Sequence, residues 1–230
     1  MPEPRIAIID NAIYPDIYKP VTHWSAFMAG TDWTSFYAPD GHLPDPDDFS
    51  HFLFTGSEAS ILEREAWVTP EVELARAAYD RGKYLLGSCY GHQLLALALA
   101  GPDHIGRAPE PEIGWIAVEI LAESPLLGPP RRAFTFSVHF DEVRNLPDSS
   151  FVVLASTVIC PVQAFRSRDG RVWGFQIHPE IQEPEARRLL ADFKDVFQSV
   201  RILYEKALAS PARDSGLIHQ IVDGFLKLSA

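Results

Sequence analysis

The stretch Tyr84-Leu85-Leu86-Gly87-Ser88-Cys89-Tyr90-Gly91-His92-Gln93, continued by an apolar run to Ala100, reads as a short buried strand, a tight turn and a helix. Glycines two places before and two places after the cysteine leave room for a sharp turn where neighbouring Cβ atoms would collide. Such an elbow holds a nucleophile at a strained, exposed apex at the N-terminus of the following helix. Unpaired N–H groups and the helix dipole favour an anion there, so Cys89 is placed to react as a thiolate. A lone cysteine in an apolar run also fits a buried structural thiol. The glycine frame and a second segment favour the nucleophile.

That second segment is Val172-Trp173-Gly174-Phe175-Gln176-Ile177-His178-Pro179-Glu180. Read as a strand ending in His-Pro-Glu, it puts His178 and Glu180 two positions apart on one face. The carboxylate then orients the imidazole while the other ring nitrogen takes the thiol proton, which is the logic of nucleophile, base and orienting group.

Together, G-x-C-x-G-H-Q at Gly87 to Gln93 and His178-Pro179-Glu180 resemble the class I, or triad-type, glutamine amidotransferases, over about Arg5 to Phe193. The resemblance implies an α/β fold: a Rossmann-like, mainly parallel sheet flanked by helices, with a nucleophile elbow. It also implies that Cys89 attacks the side-chain amide of glutamine, with His178 as base and then acid and Glu180 orienting His178. The products would be a γ-glutamyl thioester, ammonia and then glutamate. Thr55-Gly56-Ser57 stands where relatives carry Gly-Gly-Pro or Thr-Gly-Ser, so the N–H groups of Gly56 and Tyr90 are the expected oxyanion donors. Gly56 also fits a plain turn glycine.

By the same resemblance Gln93 contacts bound substrate, although a glutamine in a first helical turn equally suits a solvent-facing position. Ser137, Val138 and His139, in Ser137 to Val143, match a segment that lines the substrate pocket. His139 lacks the His-Pro-Glu context and is expected as a pocket neighbour rather than the base. The implied substrate is a small molecule, glutamine or a γ-glutamyl compound. A separate synthetase or acceptor subunit would take the ammonia. A γ-glutamyl peptide hydrolase using the same triad is the alternative, suggested by Thr-Gly-Ser and the Pro/Asp-rich approach Leu43 to Asp48. A non-catalytic binding module on the same fold is disfavoured by the intact triad.

Composition agrees with one enzyme domain over residues 1–230, with a helical segment, 184–230, packed on it. The chain has 47% hydrophobic and 22% charged residues, and a formal charge of −11 speaks against nucleic acid and anionic membrane as partners. No apolar run is long enough to span a bilayer, and no secretory signal stands before the first strand. Two cysteines, with Cys160 at the edge of an apolar run, suggest a reducing, cytoplasmic compartment. No phosphate-loop or dinucleotide fingerprint is present and the eight histidines are scattered, so no cofactor and no metal is expected.

Strands are expected at Arg5 to Asp10, Trp33 to Ala38, up to Thr55, and at Ile113 to Leu121, Ala133 to Val138, Phe151 to Ala155, Gln163 to Ser167 and Val172 to Ile177. Helices are expected within Ala12 to Gly30 and at Pro70 to Arg81, Glu185 to Leu208 and Ile218 to Leu228.

Overall fold

The computed structural model describes residues 3–229. The strands are β1 (Arg5–Asp10), β2 (Asp32–Tyr37), β3 (His51–Phe54), β4 (Tyr84–Ser88), β5 (Ile105–Ile120), β6 (Arg131–Val143), β7 (Phe151–Ser156), β8 (Ala164–Ser167) and β9 (Val172–Phe175). The α-helices are α1 (Pro20–Ser25), α2 (Val68–Asp80), α3 (Tyr90–Leu99), α4 (Glu183–Val196), α5 (Arg201–Ala209) and α6 (Leu217–Leu226). All nine strands form one sheet in the order β2-β1-β3-β4-β9-β8-β7-β5-β6. The expected parallel arrangement holds from β2 to β9; from β9 to β6 every pairing is antiparallel. The sheet is therefore mixed, because the late strands are joined by hairpins and short loops rather than by crossover helices.

The parallel strands β1, β3 and β4 are apolar on both faces, as strands covered on both sides must be. Ala7, Ile9, Phe52, Phe54 and Leu85 pack under α2 and α3. Ile6, Ile8, Leu53 and Leu86 point the other way, against Trp24 and the α6 residues Leu217, Ile218, Ile221, Val222 and Phe225. Each of these fully buried large side chains contributes about 1.5–3 kcal/mol.

Several boundaries differ from expectation. β5 starts eight residues early because a register break between Arg107 and Glu112 accommodates Pro109 and Pro111. The helix expected over Glu185 to Leu208 divides at Phe197, whose ψ of 67° leaves the helical region. Phe197 there packs on Phe193 and stacks on Tyr204 at a 6.3 Å centroid distance, so tertiary aromatic packing overrides an unbroken apolar period. No helix among the described residues is long and apolar enough to cross a membrane.

The C-terminal ends of three neighbouring strands coincide. Phe54 pairs with Gly87, and Ser88 with Phe175, so the segments that follow β3, β4 and β9 emerge side by side. A ligand site in an open α/β sheet is expected outside such ends.

Candidate active site

Cys89 joins β4 to α3 with φ 48° and ψ −104°, a strained conformation for a residue that has a Cβ. The glycine frame makes the turn sterically feasible. A Cβ on Gly87 would lie 2.4 Å from the Gly91 carbonyl, and one on Gly91 would lie 2.1 Å from the Phe54 carbonyl oxygen. The Cys89 N–H donates to Phe175 O at 2.7 Å, tying the elbow to β9. The side chain is not exposed as expected: Cys89 is 5% accessible, at the floor of a cavity of about 580 Å³.

His178 and Glu180 lie in a turn beyond the end of β9, not on the strand itself. The strand stops because the His178 N–H leaves the β4–β9 ladder and bonds to Phe136 O of β6 at 2.9 Å. The turn still brings the pair together, with His178 Nδ1 2.8 Å from Glu180 Oε1, and both residues buried. Burial pushes the imidazole down, but the negative charge of Cys89 and then that of Glu180, with a hydrogen bond to each, outweigh it and carry His178 up to about 10.

The loop after β3 is anchored from three sides. Thr55 O accepts from Gly91 N–H and from Asn11 Nδ2, and Thr55 Oγ1 accepts from Asn11 N–H. Gly56 is held against the histidine so closely that a Cβ there would sit 2.7 Å from His178 Cε1 and 2.8 Å from the Tyr18 hydroxyl oxygen. The N–H groups of Gly56 and Tyr90 have no acceptor among the described residues, and Cys89 lies between these two segments.

Two residues that the sequence motifs do not mark belong to this constellation. The Tyr18 hydroxyl donates to Glu180 Oε1 at 3.2 Å, and its ring packs edge-on to His178 at 5.9 Å. Gln176 donates its amide to Cys89 Sγ at 3.5 Å and accepts from Gln93 Nε2 at 3.1 Å. Nothing local in the loop after β1 singles out Tyr18. The polar Gln176 inside an otherwise apolar run is the available signal for the second.

The pocket residues divide. Gln93 borders the cavity but is 3% exposed, so it is not a solvent-facing helix residue; its Nε2 is also taken by Asp141 O at 2.8 Å. Val138 borders the cavity, and its carbonyl lies 3.5 Å from Cys89 Sγ. Ser137, one place along β6, is fully buried, does not border the cavity, and its Oγ has no partner among the described residues, because strand alternation turns it to the opposite face. The His139 ring shares that face and is fully enclosed, so the residue meets the cavity by its backbone. The ring bridges Glu112 Oε2 and Asp141 O, each at 3.0 Å, while Gln163 Nε2 also donates to Glu112 Oε2.

Glu112, His139 and Cys160 bring three potential metal-ligating atoms within 4.8 Å of one another. The hydrogen bonds of His139 and Gln163 already engage the imidazole and one Glu112 oxygen, and burial raises the Cys160 thiol to about 12, so these three residues form a poor ligand set at neutral pH. Both cysteines are free thiols.

Comparison with known proteins identifies the family and the fold. A glutamine-hydrolyzing GMP synthase subunit from Methanothermobacter thermautotrophicus is 40% identical over 119 residues, 50% of this chain and 61% of that protein. The glutamine-hydrolyzing GMP synthase of Caldicellulosiruptor saccharolyticus is 36% identical over 134 residues, 58% of this chain and 25% of that protein. The chain thus spans less than two thirds of the length of these relatives. Among solved structures, a glutamine amidotransferase from Thermotoga maritima superposes with a TM-score of 0.80 at 20% identity, covering 99% of this chain and 100% of its own. One from Methylobacillus flagellatus superposes with a TM-score of 0.76 at 20% identity, covering 98% and 95%. At these identities the structural likeness concerns the fold. The family model for glutamine amidotransferase class-I matches residues 57–196, more than half of the chain and including both the elbow and the His-Pro-Glu turn. The chain belongs to the class-I glutamine amidotransferase family.

Proposed function

We propose that this protein hydrolyses the side-chain amide of glutamine through a γ-glutamyl thioester on Cys89, and that the ammonia passes to a separate acceptor protein. The observation that carries the reading is the meeting, in one cavity, of a strained cysteine at a helix N-terminus with a buried His178–Glu180 pair.

The raised proton affinity of His178, up to about 10, favours transfer of the Cys89 proton to its imidazole. Sulfur attacks the γ-carbonyl carbon, and the carbonyl oxygen gains the negative charge. The N–H groups of Gly56 and Tyr90 are the donors available to that oxygen, each worth roughly 3 kcal/mol in the transition state. Collapse breaks the C–N bond as His178 gives its proton to the departing nitrogen, leaving thioester and ammonia. Water then enters, His178 takes its proton, hydroxide attacks the thioester, and the thiolate leaves with glutamate as product. Glu180 holds Nδ1 throughout, which leaves Nε2 as the nitrogen that moves protons. The separate acceptor is supported by a relative that is named as one subunit of a synthase.

Ammonia and glutamate release from glutamine tests this reading. Cys89→Ala and His178→Ala should each reduce release by a factor on the order of 10⁴ or more, and Glu180→Gln by less. Wild-type turnover by Cys89→Ala would refute it.

A further inference from the structure

The cavity is much larger than glutamine requires, and its two ends differ in chemistry. Its volume of about 580 Å³ lies in the range that accommodates drug-sized ligands. β6 runs along it and supplies a ruler, with Phe136 bordering one end, Val138 beside the Cys89 sulfur, and Asp141 at the other end, three residues further at about 3.4 Å each. At the Asp141 end the side chains are polar and charged: Arg107 pairs with Asp141 Oδ1 at 3.0 Å and Ser60 donates to Oδ2 at 2.5 Å. At the Phe136 end the wall comes from the turn after His178 and from α4 and the segment joining it to α5. There Ile181, Leu189, Phe193, Phe197 and Val200 line the cavity, with the Tyr14 ring edge-on to Phe197 at 6.4 Å. Glu58 also borders the cavity and accepts a hydrogen bond from the Ile13 N–H.

The chemistry orients a substrate along this axis. The α-ammonium and α-carboxylate of a γ-glutamyl group need charged or polar partners, which are found at the Arg107–Asp141 end. The leaving nitrogen must face the proton donor, and the His178 ring stands on the Phe136 side, edge-on to Tyr18, which shares one apolar cluster with Phe136, Ile181, Leu189 and Phe193. Whatever is attached to that nitrogen therefore extends into the apolar end. Ammonia has nothing to place there.

Resting on the Cys89–His178 reading above, we propose that the site takes, besides glutamine, γ-glutamyl amides of bulky apolar amines, with the amine's side chain held by the C-terminal helices. The reaction remains balanced as for glutamine: the C–N bond breaks, His178 donates its proton to the amine nitrogen, and water releases glutamate from Cys89.

The test compares kcat/KM for glutamine, γ-glutamyl-glycine and γ-glutamyl-benzylamide on the full chain. The benzylamide should exceed γ-glutamyl-glycine by about tenfold or more, through a lower KM. Phe197→Ala and Val200→Asp should each cut the benzylamide-to-glutamine ratio by about tenfold; both side chains are half-buried, and thermal unfolding identifies any variant that fails to fold. A benzylamide turned over no faster than γ-glutamyl-glycine, or a ratio unmoved in both folded variants, would overturn the proposal while leaving Cys89-dependent glutaminase activity in place. Loss of the underlying site reading gives a different result, in which neither substrate is consumed or Cys89→Ala consumes both.

Discussion

Among individual residues, the site is a set of buried charges whose positions set one another. His178 is raised to about 10 because the pull of Cys89 and Glu180 outweighs its burial. Activity should therefore hold through neutral pH and fall only as the imidazolium loses its proton near pH 10. Glu180→Gln removes one of the raising charges, so the alkaline limb of kcat/KM should move to lower pH; an unmoved limb would dissociate Glu180 from the histidine. Tyr18 acts on the same oxygen, donating to Glu180 Oε1. Tyr18→Phe should lower kcat by roughly three- to tenfold, equivalent to about 1 kcal/mol for one hydrogen bond, with KM little changed. Steady-state kinetics with glutamine distinguishes this from a binding defect. Cys89, His178 and Glu180 are legible in the sequence because each sits in a short motif with a mechanical reason for its spacing. Tyr18 is not, since its role depends on where a long loop after β1 folds back. Ser137 and His139 are expected in the pocket as part of a continuous segment, whereas a strand alternates its faces and turns those two side chains away from Val138.

At the scale of elements, the β4–α3 elbow depends on backbones approaching more closely than any Cβ allows. Gly91→Ala would put a methyl group 2.1 Å from Phe54 O, within the structure that fixes Cys89. It should destabilise the protein by about 3 kcal/mol or more. Gly30→Ala provides the contrast, since nothing lies within 4 Å of its added Cβ and only a φ of +80° opposes it, at about 1–2 kcal/mol. Chemical denaturation of the two variants measures the difference, and equal costs would contradict the close packing of the elbow. Strand–turn–helix order around Cys89 can be read in advance because the local pattern and tertiary packing agree there. They disagree at Pro109 and Pro111, where the strand expected from Ile113 begins instead at Ile105 and takes both prolines into its irregular stretch. They disagree again at Phe197, where apolar spacing continues but the aromatic stack with Phe193 and Tyr204 ends the helix.

Across the whole molecule, the sheet is parallel from β2 to β9 and antiparallel from β9 to β6, and the cavity is lined by segments beyond the ends of β3, β4 and β9 together with β6. The alternation of strands and helices forecasts the parallel part, and the turn signal at Arg168-Asp169-Gly170-Arg171 marks one of the hairpins that make the later part antiparallel. The core also holds a carboxyl group that titrates out of its usual range: Glu71 is fully buried, and burial raises it from 4.5 to about 8. The folded protein then keeps a proton that the unfolded chain releases, so this contribution to stability is complete below pH 4.5 and declines as pH rises through 8. Glu71→Gln should raise Tm more at pH 8 than at pH 5, and thermal unfolding at both values checks it. The whole mechanism depends on a covalent intermediate, and acid quenching during glutamine turnover followed by peptide mass spectrometry tests that most directly. A γ-glutamyl group on the peptide carrying Cys89, absent from Cys89→Ala, is the result expected; rapid turnover with no adduct in the wild type, or an adduct on another residue, would contradict it.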